Sequence, residues 1–560
     1  MSANPASLPP PDGRAPARGW RLPRPDGWSI GAWVIAALVL APVISVIWIA
    51  FHPTENIWPH LISTVLPRYL RSTVILMGGV AVLTASVGAG AAWVVSVYDF
   101  PGRRALSLAL AFPLAIPAYV GAYALVDVLD YAGPLQSALR AAFGWQSARD
   151  YWFPQTRSIW GAILVLSAAL YPYVYILARA AFVEQSGAMY EVARALGQGP
   201  GGVFRRVGLP LARPAIAAGV ALALMETVAD YGTVHHFGVQ TLTTGIFTTW
   251  LDGGNAGGAA QISGVVLALI LVLVALERVS RRGARFHAPA RAQRPVERQR
   301  LHGAAAALAF TACALPVLAG FVLPVGVMLW HAAQAPAQWL APGLLKALVN
   351  TLVVAGLASL ATVTAAVFLV YGIRLVGRGA ARVVLPLTTL GYATPGAVLA
   401  VGLLFPLAAL DHRLADGILA LTGHDPGLMI TGTAFALGLA YVVRFFGIAQ
   451  GAVDGAFGRV SPSLPMAARS LGRTAGGALT AVYLPLMRRS VLVALLVVFV
   501  DCVKELPATL LLRPFNYNTL ATRVFELASL ERLSEAAPAA LLVMAVGLAA
   551  VAVVAKGEGR

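Results

Sequence analysis

The segment EVARALGQGPGGVFRRVGLP, residues 191–210, lies between two long apolar runs and returns as MAARSLGRTAGGALTAVYLP at residues 466–485. Nine of the twenty positions are identical when the two copies are aligned at an offset of 275. A match of this length at a fixed spacing is typical of an internal repeat. We therefore expect the chain to be a tandem duplication with the same topology in both halves.

The apolar runs around these copies define the class of protein. The 560 residues are 58% hydrophobic and only 12% charged, and the mean hydropathy is +0.75. A soluble chain of this size needs more polar surface to cover its core. The runs are continuous, close to the roughly 20 residues that a spanning helix needs, and they lack the alternation of barrel strands. The sequence therefore predicts an all-α membrane protein.

About twelve transmembrane helices are expected, in two tandem six-helix halves. The predicted spans are 29–51, 72–97, 105–129, 158–181, 211–232, 260–278, 303–330, 350–373, 383–410, 428–448, 488–506 and 536–555. The predicted domains are a disordered cytoplasmic tail (1–28), a first six-helix half (29–279), a basic cytoplasmic linker (280–302) and a second six-helix half (303–560).

The placement of lysine and arginine orients these spans. With both termini on one side, that side holds 30 of the 41 Lys and Arg residues, Arg444 among them. Cytoplasmic loops carry such an excess, so both termini are expected in the cytoplasm. The same bias accounts for most of the net charge of +17, and no nucleic-acid partner is needed to explain it.

The repeated segment itself has the features of a docking element. Its first part, MYEVARALG at 189–197, favours a short helix whose small alanines allow a partner to approach closely. Gly197 suits a left-handed helix cap, and Pro210 fits the first turn of the next span, where its missing N–H costs nothing. Two short helices joined rigidly to a membrane helix can transmit a push from a soluble partner into the membrane.

Acidic residues occur inside the fifth and eleventh spans. Glu226 and Asp501 each lie 16 residues after the Leu-Pro proline of their half, and Asp230 and Glu505 lie 20 residues after it. A charge inside a membrane costs roughly 3 kcal/mol or more, so each needs a reason. Two interpretations remain open. The acids line a path suited to a cation, with Lys504 reducing their repulsion, or they form a packing network in which Lys504 pairs with Asp501 or Glu505.

The two copies also carry a family resemblance. The first copy resembles the EAA loop of binding-protein-dependent ABC importer permeases at Glu191, Ala193, Gly197, Leu209 and Pro210. The second copy matches at Ala467, Ala468, Gly472, Leu484 and Pro485, with Met466 in place of the usual acid. Three further segments resemble the fused permeases of ferric-iron ABC importers: PLAIPAYVGAYALVDVLDYAGPLQ (113–136), ETVADYGTVHHFGVQTLTTGIFTTWL (226–251) and KELPATLLLRPFNYNTLATRVFELASL (504–530).

This resemblance implies a type I importer permease, a multi-pass protein of a bacterial cell inner membrane. It implies that both loops bind copies of a separate cytoplasmic ABC ATPase, two in all, and that a periplasmic binding protein delivers the substrate, ferric iron. No catalytic residue, resident metal or cofactor is expected in this chain, because the partner subunit uses the ATP. The expected pathway residues are Glu226, Asp230, Tyr231, Asp501, Lys504 and Glu505. Oxygen-bearing side chains near the outer face are also compatible with a hard cation, namely Asp127, Asp130 and Tyr131.

Other functions remain open. Thiamine, polyamine and phosphonate importers have related fused permeases, and secondary transporters driven by an ion gradient also use repeats and buried acids. Such a carrier does not need a duplicated docking segment. None of the three lysines follows a glycine, as a phosphate-binding Gly-Lys-Ser/Thr turn requires, so a separate ATPase is expected. An enzyme is least favoured, and His235-His236 favours an interfacial role over metal binding because neighbours on a helix diverge.

Overall fold

The computed structural model describes residues 27–53, 56–282 and 297–558. We call residues 27–282 the first half and residues 297–558 the second half. The predicted tail lies outside the described residues except for its last two positions, and so does the linker between 283 and 296. The described chain is almost entirely helical, as the apolar runs predicted.

The helices of the first half are α1 (Gly27–Phe51), α2 (Trp58–His60), α3 (Leu66–Val97), α4 (Arg103–Ala109), α5 (Ala118–Leu129), α6 (Pro134–Phe143), α7 (Ile159–Glu184), α8 (Gly187–Ala195), α9 (Pro200–Val203), α10 (Leu209–Ala229), α11 (Gly232–His236), α12 (Leu242–Phe247) and α13 (Ala256–Arg282). Two short strands, β1 (Tyr98–Asp99) and β2 (Gln299–Arg300), pair in parallel and join the two halves.

The helices of the second half are α14 (Gly303–Val317), α15 (Leu323–Gln334), α16 (Pro342–Val376), α17 (Arg378–Thr388), α18 (Leu390–Ala393), α19 (Gly396–Thr422), α20 (Ala434–Arg459), α21 (Ser463–Ser470), α22 (Ala475–Ala478), α23 (Leu484–Lys504), α24 (Pro507–Leu512), α25 (Leu520–Ser529) and α26 (Leu533–Glu558). Turns of 3-10 helix occupy Phe112–Ala115 and Pro336–Leu340.

Ten helical segments of the described chain are long and apolar enough to cross a membrane, and eleven if one bent pair counts as a span. The predicted third span, 105–129, is this bent pair: its two parts meet at 98° between Ala115 and Ala118, where Pro117 interrupts the helix. The predicted eleventh span corresponds to α23, which carries too much charge for an apolar span. The predicted ninth span, 383–410, is also interrupted, because α19 begins only after Pro395.

Four entries into long helices share a widened turn. Each is a five-residue π-helical turn followed by a Leu-Pro pair: 61–65 before Leu66-Pro67, 204–208 before Leu209-Pro210, 318–322 before Leu323-Pro324, and 479–483 before Leu484-Pro485. Proline has no N–H to donate to the carbonyl four residues earlier. That carbonyl loses its α-helical partner, and the turn before the proline widens.

Matching hydrogen bonds occur in the two halves. The hydroxyl of Thr73 in α3 accepts from the N–H of Leu242 at 3.1 Å, and Thr351 in α16 accepts from Leu520 at 2.8 Å. The helices that begin at these leucines both start with a capping box, formed by Thr241 with Thr244 and by Thr519 with Thr522. Such agreement in local detail is what a duplicated chain should show.

The first membrane span of each half, α1 and the continuous α14–α15 segment, packs against the other half. α1 lies against α16 and α19, and α15 lies against α5 as well as α26. The ring of Trp28 in α1 stacks on Phe368 with centroids 4.7 Å apart, and meets Tyr371 edge-on at 5.1 Å. A Cβ atom at Gly372 would lie 2.6 Å from the carbonyl oxygen of Trp28, so this approach requires glycine. The largest buried apolar cluster therefore contains residues of both halves.

Candidate functional site

Two elbows, residues 187–210 and 462–485, carry the predicted docking features. Gly197 has a left-handed φ of 81°, as its position predicted, and Gly472 repeats it with a φ of 82°. Two backbone hydrogen bonds of 2.9–3.1 Å close each turn, from Gly197 to Arg194, Gln198 to Ala193, Gly472 to Arg469 and Arg473 to Ala468. This pattern is a Schellman cap, so the two elbows share one local geometry.

Aromatic clusters hold the inner faces of the elbows. Tyr190 is buried, and its ring meets the indole of Trp93 edge-on with centroids 5.5 Å apart. The same indole contacts Phe182 and Phe204. The second elbow is held by a corresponding cluster of Tyr371, Phe457 and Tyr483. These contacts fix each elbow to the membrane helices above it.

The outer faces of the elbows leave apolar side chains in solvent. Leu196 is 75% exposed and Leu471, its counterpart at the offset of 275, is 85% exposed. The corresponding pair Met189 and Leu464 is also exposed. Exposed apolar side chains that recur at matched positions indicate a contact surface for a protein partner. Glu191, Met466 and Ala467 lie on the exposed side, Ala468 is half-buried, and Ala193 is buried.

The part of each elbow that follows the glycine turn continues into a membrane helix without a break. The backbone is helical from Pro200 to Ala229, and Leu209 and Pro210 form the first turn of α10 directly after the π-helical turn. Leu484 and Pro485 begin α23 in the same way. A displacement of the elbow must therefore move the helix to which it belongs.

The far ends of α10 and α23 meet at a cavity of about 110 Å³ between the two halves. Its wall contains every pathway residue that the sequence predicted: Glu226, Asp230, Tyr231, Asp501, Lys504 and Glu505. Tyr119 also lines the cavity, and its hydroxyl is buried with no hydrogen-bond partner among the described residues. The cavity thus collects carboxylate and phenol oxygens in an otherwise apolar interior.

The second acid of each pair stands at a break in its helix. α10 ends at Ala229, and the carboxylate of Asp230 accepts hydrogen bonds from the N–H groups of Thr233 and Val234 at 3.0 and 3.1 Å. α23 ends similarly, and Glu505 accepts from the N–H of Ala508 at 2.9 Å. The predicted spans 211–232 and 488–506 therefore do not continue as single helices. Each carboxylate, one position before the N-cap, instead accepts N–H groups of the first turn of the next short helix.

Two cations balance the acids of the second half. The Lys504 ammonium lies 2.7 Å from Asp501, one of the two pairings that the sequence left open. Arg444 Nε lies 3.0 Å from the Glu505 carboxylate, an ion pair at an angle too oblique for a hydrogen bond. Both Arg444 and Glu505 are less than a tenth exposed.

Arg444 is the functional residue that sequence reasoning missed. The charge count placed it in the cytoplasm, whereas it lies in the middle of α20 and lines the cavity. The sequence does contain a sign of this buried position: Arg444 follows AFALGLAYVV and precedes FFGIA, and neither segment carries another charge. A charge within such a run marks an intramembrane site.

The acids of the first half have no such partners. No Lys or Arg of the described chain lies within ion-pair distance of Glu226 or Asp230. At the offset of 275, the counterparts of Arg444 and Lys504 are Ala169 and Ala229. The cavity therefore has four carboxylates against two cations, and both cations sit beside second-half acids. This imbalance suits a positively charged occupant.

The remaining candidates lie away from the cavity centre. Asp127 lies 3.1 Å from His331, and Asp130 lies 3.4 Å from Arg157. Tyr131 lies beneath the guanidinium of Arg140 at 4.0 Å. These side chains are engaged in contacts outside the cavity, and the contact of Asp127 with His331 of α15 joins the two halves.

The two neighbouring histidines pack against aromatic rings. His235 tilts against Tyr231 with centroids 5.2 Å apart, and His236 meets Tyr123 edge-on at 4.6 Å. This arrangement agrees with the interfacial interpretation. Across residues 27–53, 56–282 and 297–558, no group of three His, Cys, Asp or Glu residues could hold a metal ion.

Comparison with known proteins shows that the chain is similar to permeases of transport systems. Residues 81–291 match the family described as "binding-protein-dependent transport system inner membrane component". The chain is 25% identical over 488 residues to the Fe(3+)-transport system permease protein FbpB 2 of Haemophilus influenzae, which covers 85% of this chain and 87% of that protein. A probable sulfate transport system permease protein, cysT of Nephroselmis olivacea, is 30% identical over 199 residues, covering 35% of this chain and 67% of that protein. The molybdenum transport system permease protein ModB of Escherichia coli K12 is 28% identical over 203 residues, covering 34% and 85%.

Proposed function

Since the chain belongs to the family of binding-protein-dependent transport system inner membrane components, we propose that it is the permease subunit of an ATP-driven importer of ferric iron. The observation that carries the proposal is the cavity between the halves, with four carboxylates and a free phenol on its wall. Ferric iron is a hard cation that prefers oxygen ligands. Similarity to an Fe(3+) permease over 85% of the chain supports the same substrate.

In this proposal a periplasmic binding protein delivers the iron, and two copies of a cytoplasmic ABC ATPase bind the two elbows. The exposed pair Leu196 and Leu471 supplies apolar anchors at matched positions. When ATP draws the ATPase subunits together, the elbows move with them. Because α10 and α23 begin at the elbows and end at the cavity acids, the movement reaches the passage some 30 Å away.

The proposed topology has twelve spans in two six-helix halves, with both termini in the cytoplasm of a bacterial cell. The ten apolar segments and the bent pair supply eleven of these spans. The one span still missing is the predicted eleventh, and α23 supplies it, because its charges at Asp501 and Lys504 face the cavity rather than lipid. A gradient-driven carrier is not proposed, since the family is defined by dependence on a binding protein.

An oxyanion is the second candidate substrate, because Arg444 and Lys504 line the same cavity. Sulfate and molybdenum permeases are among the proteins similar to this chain. Each of the two cations already lies within 3.0 Å of a carboxylate, however, so neither is free to bind an anion. Glu226 and Asp230 form no ion pair of their own, and the four carboxylates outnumber the two cations on the wall, which favours a cation.

The test is uptake of radiolabelled ferric iron by cells with and without the chain, alongside sulfate, molybdate, thiamine, a polyamine and a phosphonate. We expect loss of the chain to abolish binding-protein-dependent iron uptake and to leave the other solutes unchanged. If iron uptake persists while another solute is no longer taken up, the iron assignment is wrong and the importer assignment stands. Loss of no solute would contradict both.

A further inference from the structure

A second cavity, of about 580 Å³, lies at the C-terminal end of α3, close to Trp93, whose ring contacts Tyr190 of the first elbow. Four arginines line it: Arg103, Arg104, Arg298 and Arg300. Two of them come from the start of α4, and two come from the chain just before α14. Residues nearly 200 positions apart in the sequence thus form one basic pocket, which has no role in the transport mechanism described above.

The parallel pairing of β1 with β2 holds this pocket together. Asp99 pairs with Arg300 in the strand register, and the N–H of Leu301 donates to the Asp99 carbonyl at 2.9 Å. Arg103 is fixed as well, because its Nε lies 3.1 Å from the Asp99 carboxylate and its Nη1 donates to the Val95 carbonyl at 3.2 Å. The side chain of Arg103 and the backbone that carries Arg300 are therefore fixed, and the exposed side chains of Arg104, Arg298 and Arg300 extend from this wall.

The charges in the pocket are not balanced. Among the described residues that line the pocket, Asp99 is the only one with a carboxylate, and it is paired with Arg103. Among the described residues no Asp or Glu forms an ion pair with Arg104, Arg298 or Arg300. Although the side chain of Arg298 is exposed, its partial desolvation and then the nearby charge of Arg103 lower its pKa from the ordinary value. Positive groups crowded in this way are stabilised by an anion from outside the chain.

We propose that this pocket binds the phosphate of an anionic phospholipid headgroup. Guanidinium groups match phosphate oxygens with paired hydrogen bonds, and basic pockets beside membrane helices on the cytoplasmic side select anionic lipids. The position fits a lipid rather than a soluble anion. Phe310 of α14 is 45% exposed, and its ring lies 3.2 Å from where a Cβ of the pocket residue Gly102 would be. An acyl chain can therefore lie along α14 while the headgroup is held.

The experiment titrates the purified full-length chain, in nanodiscs of neutral lipid, with phosphatidylglycerol, phosphatidylcholine or inorganic phosphate. Bound lipid is counted by native mass spectrometry. We expect phosphatidylglycerol to bind in preference to phosphatidylcholine, with affinity falling roughly fivefold for R300Q and about 25-fold for R298Q with R300Q. The matched control R382Q removes an exposed arginine of α17 outside the pocket and should keep the wild-type affinity.

Three results would overturn the proposal: equal binding of the two lipids, wild-type affinity for phosphatidylglycerol in the double variant, or saturable binding of inorganic phosphate without lipid binding. If the double variant does not fold, R104Q provides the same test on an exposed residue of α4. Wild-type affinity in R104Q would then reject the pocket.

Discussion

The two halves of the chain carry the same acid pair at the same positions but surround it differently. In the second half, Lys504 neutralises Asp501 and Arg444 neutralises Glu505. Buried charges that are paired in this way fix the packing of helices. These two ion pairs fit one of the two interpretations that the sequence left open, the network of buried charges that fixes packing.

The first half keeps the acids and lacks the cations. Alanines, Ala169 and Ala229, occupy the positions of the arginine and the lysine. Glu226 and Asp230 therefore face the cavity without an ion pair of their own, and the charges of Arg444 and Lys504 act on Glu226 only across the cavity. This pair fits the other interpretation, an acid-lined path for a cation. We infer that the two copies differ in role: the ion pairs of the second half suit helix packing, and under the proposed function the acids of the first half would meet the substrate.

The largest effect should come from breaking the neutralised pair. Arg444→Ala leaves Glu505 as an unpaired charge in the interior, so we expect the free energy of unfolding to fall by about 3–5 kcal/mol. Thermal denaturation of the purified protein measures this change. Adding Glu505→Gln should restore most of the loss, because the buried charge is then gone. No gain from the second substitution would mean that the pair does not carry the packing of the second half.

The next effect concerns transport rather than stability. Glu226→Gln with Asp230→Asn removes both acids that lack an ion pair, each worth about 1 kcal/mol toward a nearby cation, so we expect iron uptake to fall at least tenfold. Membrane content and thermal stability should remain near wild type, which immunoblotting and denaturation check.

The matched control for that variant lies in the other half. Asp501→Asn with Lys504→Met removes a neutral pair, and we expect uptake to fall by less than about threefold, since replacing both members of an ion pair is nearly neutral. Equal losses in the two double variants would remove the distinction between the halves.

The features found from the sequence were those that duplication preserves. The repeat at 191–210 and 466–485, the left-handed Gly197 and the four cavity acids follow from spacing, because a constant offset keeps helix faces and turns in register. Local backbone rules sufficed for the glycine, and the cost of intramembrane charge sufficed for the acids.

The features that the sequence did not reveal depend on tertiary contacts. Arg444 is neutralised by Glu505, 61 positions later, and the end of its span was too uncertain to exclude a cytoplasmic position. The helix breaks at Asp230 and Glu505 arise because a carboxylate accepts N–H groups of the following turn, in the middle of a continuous apolar run. Hydropathy does not detect such a cap.

The elbows should behave alike where the acids differ. Gly197→Ala and Gly472→Ala each place a Cβ in a left-handed position, at a cost of about 1–2 kcal/mol. We therefore expect either substitution to reduce the ATP hydrolysis of the partner ATPase in the assembled importer, measured with substrate-loaded binding protein, by roughly fivefold or more. Gly199→Ala is the control, since Gly199 has a φ of −69° and open space around it. A large loss in only one of the two elbows would show that they do not act as equivalent contacts.

The smallest effect should distinguish the elbows by charge. Glu191 is exposed in the first elbow, and Met466 occupies its place in the second. An exposed ion pair contributes roughly 0.2–1 kcal/mol, so Glu191→Gln should weaken ATPase binding by about twofold to fivefold at low salt. The difference should shrink at high salt, because exposed charges are screened. Met466→Gln should show no such salt dependence, since no charge is lost there.

Binding of the ATPase to nanodisc-embedded protein, measured across a salt series, separates these outcomes. If both substitutions give the same salt slope, the elbows contact their partners without charge, and the asymmetry of the chain is confined to the cavity.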